Sequence, residues 1–89
     1  MNAAAYTAAI EQQLIAKLQP TSLQVIDESA EHAGHVGATD AGFGSHVRVR
    51  IASTAFAGKT RVAKHRLVYD AMQNFIDDGL HALAIEITD

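Results

Sequence analysis

Five histidines and no cysteine define the chemistry open to this 89-residue chain. A neutral imidazole ligates zinc, copper and iron. His32 and His35 stand three apart in a stretch that also holds Gly34, Gly37, Gly42 and Gly44. His46 opens a strand-like run, His65 lies among basic residues, and His81 stands just before the last strand. No His-x-x-x-His pair is present, and a full metal site needs three or four ligands brought together by the fold. Taken singly, each histidine reads first as a surface or capping residue. The missing cysteines exclude a disulfide scaffold, a Cys-based zinc site, a thiol nucleophile and a self-sufficient four-cysteine iron–sulfur site.

Catalytic patterns are thin. Ser29, Ser45 and Ser53 sit in no nucleophile-elbow sequence. The glycine-rich stretch matches neither a phosphate-binding loop nor a dinucleotide fingerprint. Asp27–Glu28 and Asp77–Asp78 read as strand-end and helix-end residues, and no enzyme is expected. Charge is more informative. The net charge is −3, yet Arg48, Arg50, Lys59, Arg61, Lys64 and Arg66 make up six of the seven basic residues. No acid occurs between Asp40 and Asp70, so a basic band lies inside an acidic protein. Such a band suits a solvated face, an acidic partner or nucleic acid.

These residues need elements to position them. Tyr6, Ile10, Leu14 and Leu18, with Ile15 beside them, form an apolar stripe that predicts a helix over 3–18, capped by Asn2 and stopped by Pro20. A strand is expected over 22–27, with Leu23 and Val25 on one side, and a long loop over 28–45. From His46 to Ser53, Val47, Val49 and Ile51 alternate with Arg48 and Arg50, so the strand has an apolar face and an arginine face. After a turn at 56–58, helix runs to about Ile76, with a short first turn near 59–63 and a break before the longer part. Val68, Ala71, Met72, Phe75 and Ile76 form its stripe, and Gly79 closes it. Leu83, Ile85 and Ile87 alternate in a last strand over 82–88. The reading is one α+β domain over 1–89, ordered α-β-β-α-α-β, with helices on one face of a three-stranded sheet and arginines on the other. No apolar run approaches the roughly 20 residues of a membrane span. No Lys or Arg precedes Lys17, which argues against a leader peptide, and the expected location is cytoplasmic.

Several blocks resemble the BolA family. They are Asp27-Glu28-Ser29-x-x-His32, Ser45-His46-Val47-x-Val49, Phe56-x-Gly58, Val62-x-Lys64-His65-Arg66-Leu67-Val68-Tyr69 and His81-Ala82-Leu83. Their order and spacing are the family's over about residues 8–88, except that the stretch from His32 to His46 is longer. The family's Thr-Pro-x-x-Trp continuation is not found before Asp89. The resemblance implies a fold similar to a class II KH domain and a non-enzymatic protein. It also implies pairing with a monothiol glutaredoxin, whose cysteine and bound glutathione would complete a shared [2Fe–2S] cluster. The family's histidine before the last strand falls on His81, and its loop ligand falls on His32, with His35 as the alternative. His65, with Lys64 and Arg66, falls on the family's most recognisable signature. It is read as a helix-start hydrogen bonder that presents a basic surface, not as a cluster ligand.

A second reading stays open, since some BolA-like proteins are described as transcriptional regulators of cell shape and stress responses. DNA would then meet Arg48, Arg50, Lys59, Arg61, Lys64, His65 and Arg66, in a region that resembles a helix-turn-helix. A plain KH-like RNA binder is disfavoured, because Gly58-Lys59-Thr60-Arg61 lacks the second glycine of a Gly-x-x-Gly loop. A weak homodimer is compatible with either reading, and no membrane partner is expected.

Overall fold

A computed structural model describes residues 2–32 and 42–89. Helix α1 spans Ala3–Leu18. It starts where the Asn2 side chain accepts the Ala5 N–H at 2.8 Å, satisfying one of the helix's otherwise unpaired N–H groups. It ends at Gln19, whose φ of 46° is left-handed, one residue before Pro20. Ile10, Leu14 and Leu18 are buried and Tyr6 is half-buried, as the stripe predicts. Ile15 is the exception at 54% exposure. It lies about 100° around the helix from Leu14, so only one of the two faces the sheet.

The sheet contains β1 (Ser22–Asp27), β2 (His46–Ala52) and β3 (Ala82–Ile87), with β2 in the middle. β1 pairs antiparallel to β2, Asp27 opposite Val47, while β3 runs parallel to it, Ala82 beside His46. The C-terminal end of β1 and the N-terminal ends of β2 and β3 therefore share one end of the sheet. Val47, Val49 and Ile51 are buried beneath the helices with Ile10, Leu14, Phe56, Val68 and Met72. Leu23, Val25, Leu83, Ile85 and Ile87 pack around this core. The α-β-β-α-α-β order stands, with short 3-10 turns at Ser29–His32 and Thr54–Phe56.

Boundaries differ from expectation in three places. Part of the expected 28–45 loop is ordered as the first 3-10 turn. β2 stops at Ala52, because the Ser53 hydroxyl turns away to donate to Leu18 O at 2.6 Å and accepts the Ala55 N–H that opens the second turn. The helical break also falls elsewhere. Helix α2 (Arg61–Ala71) begins cleanly on Thr60, whose hydroxyl accepts the Ala63 N–H at 3.1 Å. The interruption comes at Met72 (φ −113°, ψ 12°), before α3 (Gln73–Asp77). Met72 is fully buried. Tertiary burial, not local propensity, places that bend, and Phe75 and Ile76 still reach the core beyond it. No described helix is long and apolar enough to cross a membrane.

Candidate metal centre and basic surface

The shared end of the sheet is closed by a clasp built from the Asp27-Glu28-Ser29 segment. The Asp27 carboxylate accepts the Ser29 N–H at 2.8 Å and the Gly44 N–H at 2.9 Å. The Ser29 hydroxyl accepts the N–H groups of Ser45 (3.0 Å) and His46 (3.1 Å), and the Glu28 N–H donates to His46 O at 2.8 Å. Ser29 and Ser45 are buried at 2% and 0% exposure, so these polar contacts satisfy groups that water cannot reach. The strand-end reading of Asp27 missed this role. The two ends of the histidine-bearing loop are thereby fixed against each other.

An aromatic group supports the same point. Tyr6 lies against Phe43 (ring centroids 5.7 Å apart) and edge-on to Phe75 (5.6 Å). Gly44, with a φ of 82°, brings its backbone so close that an added Cβ would meet the Tyr6 ring at 3.6 Å. Burial, with the nearby Asp27 and Asp78 charges, pushes the Tyr6 phenol above its usual pKa, so it stays a neutral donor.

β3 is tied to the same clasp. The carbonyl of Ser45 accepts the N–H groups of both His81 and Ala82 at 2.9 Å. His81 is exposed, its backbone held while its ring faces outward from the sheet end. The half-buried His46 ring lies 5.6 Å from it, centroid to centroid and tilted by 56°. Ser45 Oγ and His46 Nδ1 are hydrogen-bonded at 2.9 Å. His32 ends the 3-10 turn that starts on Ser29. Its side chain, and all of His35, lie outside the described residues. Among the described residues no three of His, Asp and Glu converge as a metal-binding group. His46, beside His81, was not singled out by the sequence reading; the strand register carries the signal, since a parallel β3 entering after His81 sets Ala82 next to His46.

The basic band divides in two. Arg48 and Arg50 do project from the uncovered sheet face, but into acids. Arg48 Nε meets Glu28 at 3.0 Å and its Nη1 meets Glu86 at 2.8 Å. Arg50 Nε meets the same Glu86 oxygen at 3.3 Å and its Nη1 donates to Gln24. The Arg48 hydrogen bond, helped by Arg50, holds the Glu86 carboxyl below its usual pKa, and the hydrogen bond to Glu28 leads in pushing Arg48 above its own. The sheet face is a charge ladder and not an open cationic surface.

Lys59, Arg61, Lys64 and Arg66 form the other half, and none takes part in an ion pair among the described residues. They surround the start of α2. His65 Nδ1 lies 2.8 Å from Arg61 O, so that nitrogen carries a proton and donates to the preceding helical turn. A shallow groove of about 540 Å³ runs along this helix between Arg61, Val62, His65, Arg66, Tyr69 and Asp70. Val62 is 70% exposed and Tyr69 42% exposed, an apolar strip within a basic rim. The Tyr69 hydroxyl donates to Leu83 O at 3.3 Å and joins the helix to β3.

Comparison with known proteins agrees with this architecture. The family model described as BolA-like protein matches residues 14–89. A Sinorhizobium protein described as uncharacterized, in the cobS 5′ region, is 50% identical over 80 residues, spanning 90% of this chain and 86% of its own. The SufE-like protein 1 of Arabidopsis thaliana is 43% identical over 79 residues, 85% of this chain but 21% of that longer protein. The solved BolA domain of that plant's SufE1 superposes with a TM-score of 0.81 at 39% identity, covering 94% of this chain and 91% of the domain. Escherichia coli carries a relative named DNA-binding transcriptional regulator BolA, 36% identical over 76 residues, 85% of this chain and 68% of that one. With the α+β order, the mixed three-stranded sheet and the matched region in agreement, the chain belongs to the BolA-like protein family.

Proposed function

We propose that this protein is a non-enzymatic adaptor that pairs with a monothiol glutaredoxin and shares a [2Fe–2S] cluster with it. It would act in the cytoplasm, in iron–sulfur assembly, trafficking or iron homeostasis. The observation that carries the reading is the exposed His81, held through its backbone to Ser45 at the end of the sheet where the His32 turn also begins. His81 is one ligand and His32 the other, with His35 as the alternative. The donor set fits a shared site. A chain without cysteine offers imidazole only, so the thiolates come from the glutaredoxin and its glutathione. Imidazole ligation supplies a cluster with a higher reduction potential than thiolate ligation does. The protein's own part is to hold His81 at a fixed place while the clasp sets where the His32 segment leaves the sheet. Gel filtration of the protein with a cluster-loaded monothiol glutaredoxin should yield a one-to-one complex that carries cluster absorbance. Separate elution of colourless protein and loaded glutaredoxin would count against it.

A second reading is favoured by a separate observation, the cations around the start of α2 that lack acidic partners among the described residues. They suit phosphate contacts, and the name of the Escherichia coli relative points the same way. On this reading the protein is a DNA-binding regulator working through Lys59, Arg61, Lys64 and Arg66. The ladder leaves Arg48 and Arg50 little part in it. Salt-sensitive, sequence-specific duplex binding would support it, and purely non-specific association would sink it.

A further inference from the structure

His46 belongs to no role assigned above, yet it has the surroundings of a metal ligand. Its Nδ1 is hydrogen-bonded to the hydroxyl of a fully buried serine, Ser45. Ligating histidines are characteristically held by such a bond at the second ring nitrogen, which fixes both tautomer and ring orientation. With Nδ1 bound to Ser45, Nε2 is the nitrogen that His46 brings to an ion. The second imidazole stands beside it, because the Ser45 carbonyl fixes the His81 backbone. One residue thus orients both rings, through its hydroxyl and its carbonyl.

The spacing can be tested against coordination geometry. A metal–nitrogen bond of about 2.0–2.1 Å, with the further distance from nitrogen to ring centre, sets two imidazoles on one tetrahedral ion roughly 5 Å apart between centroids. The observed separation is 5.6 Å. Ordinary packing of two rings covers the wider range of about 4.5–7 Å, so distance alone does not separate the two explanations. The Ser45 bond does favour one of them: plain packing has no use for a fixed tautomer.

We propose that His46 and His81 form a divalent-metal site within this chain, holding a transition ion of the zinc or copper class through one nitrogen of each ring, without a partner protein. Water fills the remaining positions, as two protein ligands leave a tetrahedral ion open. Imidazole pairs suit zinc and copper and not magnesium or calcium, which take oxygen. On the shared-cluster reading, an ion here occupies His81 and excludes the cluster; the metal site itself does not depend on that reading.

The test is a Zn²⁺ titration of the ¹⁵N-labelled full chain, with NMR of the histidine ring nitrogens. Both the His46 and His81 ring signals should shift together and saturate at one equivalent. The His46→Ala variant, its fold checked by its amide spectrum, should bind Zn²⁺ more weakly by at least the roughly 10–100-fold seen when a supporting residue of a ligand is lost. Zn²⁺ that shifts other histidines but not His46, or an affinity unchanged by His46→Ala, would overturn the proposal. Magnesium serves as the control and should shift neither ring. The wild-type ring shifts decide the matter even if the variant does not fold. Failure would leave the glutaredoxin reading intact, since that reading draws its thiolates from the partner.

Discussion

Asp27 and Gly44 lie 17 residues apart, and the carboxylate of one accepts the N–H of the other at 2.9 Å. That single bond closes the loop carrying the candidate ligands onto the sheet end from which His81 emerges. Ser29 adds a second closure, with its hydroxyl beneath two backbone N–H groups. The clasp confines the loop's starting point and leaves its interior length unconstrained.

Removing the Ser29 hydroxyl tests the clasp. Ser29→Ala leaves the N–H groups of Ser45 and His46 without their buried acceptor. It should lower stability by about 1–3 kcal/mol, the cost of an unsatisfied buried donor. Urea unfolding of the two proteins measures the difference, and a loss near zero would show that other acceptors replace the hydroxyl.

The charge ladder makes a pH prediction. The Glu86 carboxyl titrates below its ordinary 4.5 because Arg48 and Arg50 hold its charged form. In acid the unfolded chain therefore takes up this proton at higher pH than the folded one, and stability rises with pH across that window. The contribution is whole above pH 4.5 and is lost as pH falls through the depressed folded value. Glu86→Gln should flatten this acid limb in thermal melts at a series of pH values. Added salt should weaken the effect, since the ladder is partly exposed.

Phe56 is fully buried at the centre of the core, between β2 and the helices. Phe56→Ala should cost about 3–5 kcal/mol, as large-to-small changes in close-packed cores do. Val62→Ala, on the exposed strip of α2, should change stability little, so paired melts of these variants separate the core from the surface groove.

The DNA reading makes a prediction of its own. Removing two phosphate contacts with Lys64→Ala and Arg66→Ala should reduce the slope of log affinity against log salt by about 2. Arg48→Ala should leave that slope unchanged, because its guanidinium is held by Glu28 and Glu86. Equal effects at both places would mean that the ladder opens to bind DNA.

Much of this architecture is legible in the amino-acid sequence. The period of two in Val47, Val49 and Ile51 separates the core face of β2 from its arginine face, and the blocks around Asp27, His65 and His81 carry the family. Whatever depends on long-range pairing stays hidden there. Glu86 alternates with Ile85 and Ile87, which already puts it on the outer face. That it meets Arg48 and Arg50 follows only from the parallel register of β2 and β3. The nearness of His46 and His81 has the same origin. The bend at Met72 is set by burial against α1 and the sheet, for which a local helix pattern has no signal.

The most direct test of the central claim is a titration of this protein into a cluster-loaded monothiol glutaredoxin, followed by visible absorption and circular dichroism. A new spectrum that saturates at one-to-one, and is abolished or altered by His81→Ala, is the predicted result. A spectrum that never changes, or one that His81→Ala leaves as it was, would contradict the account.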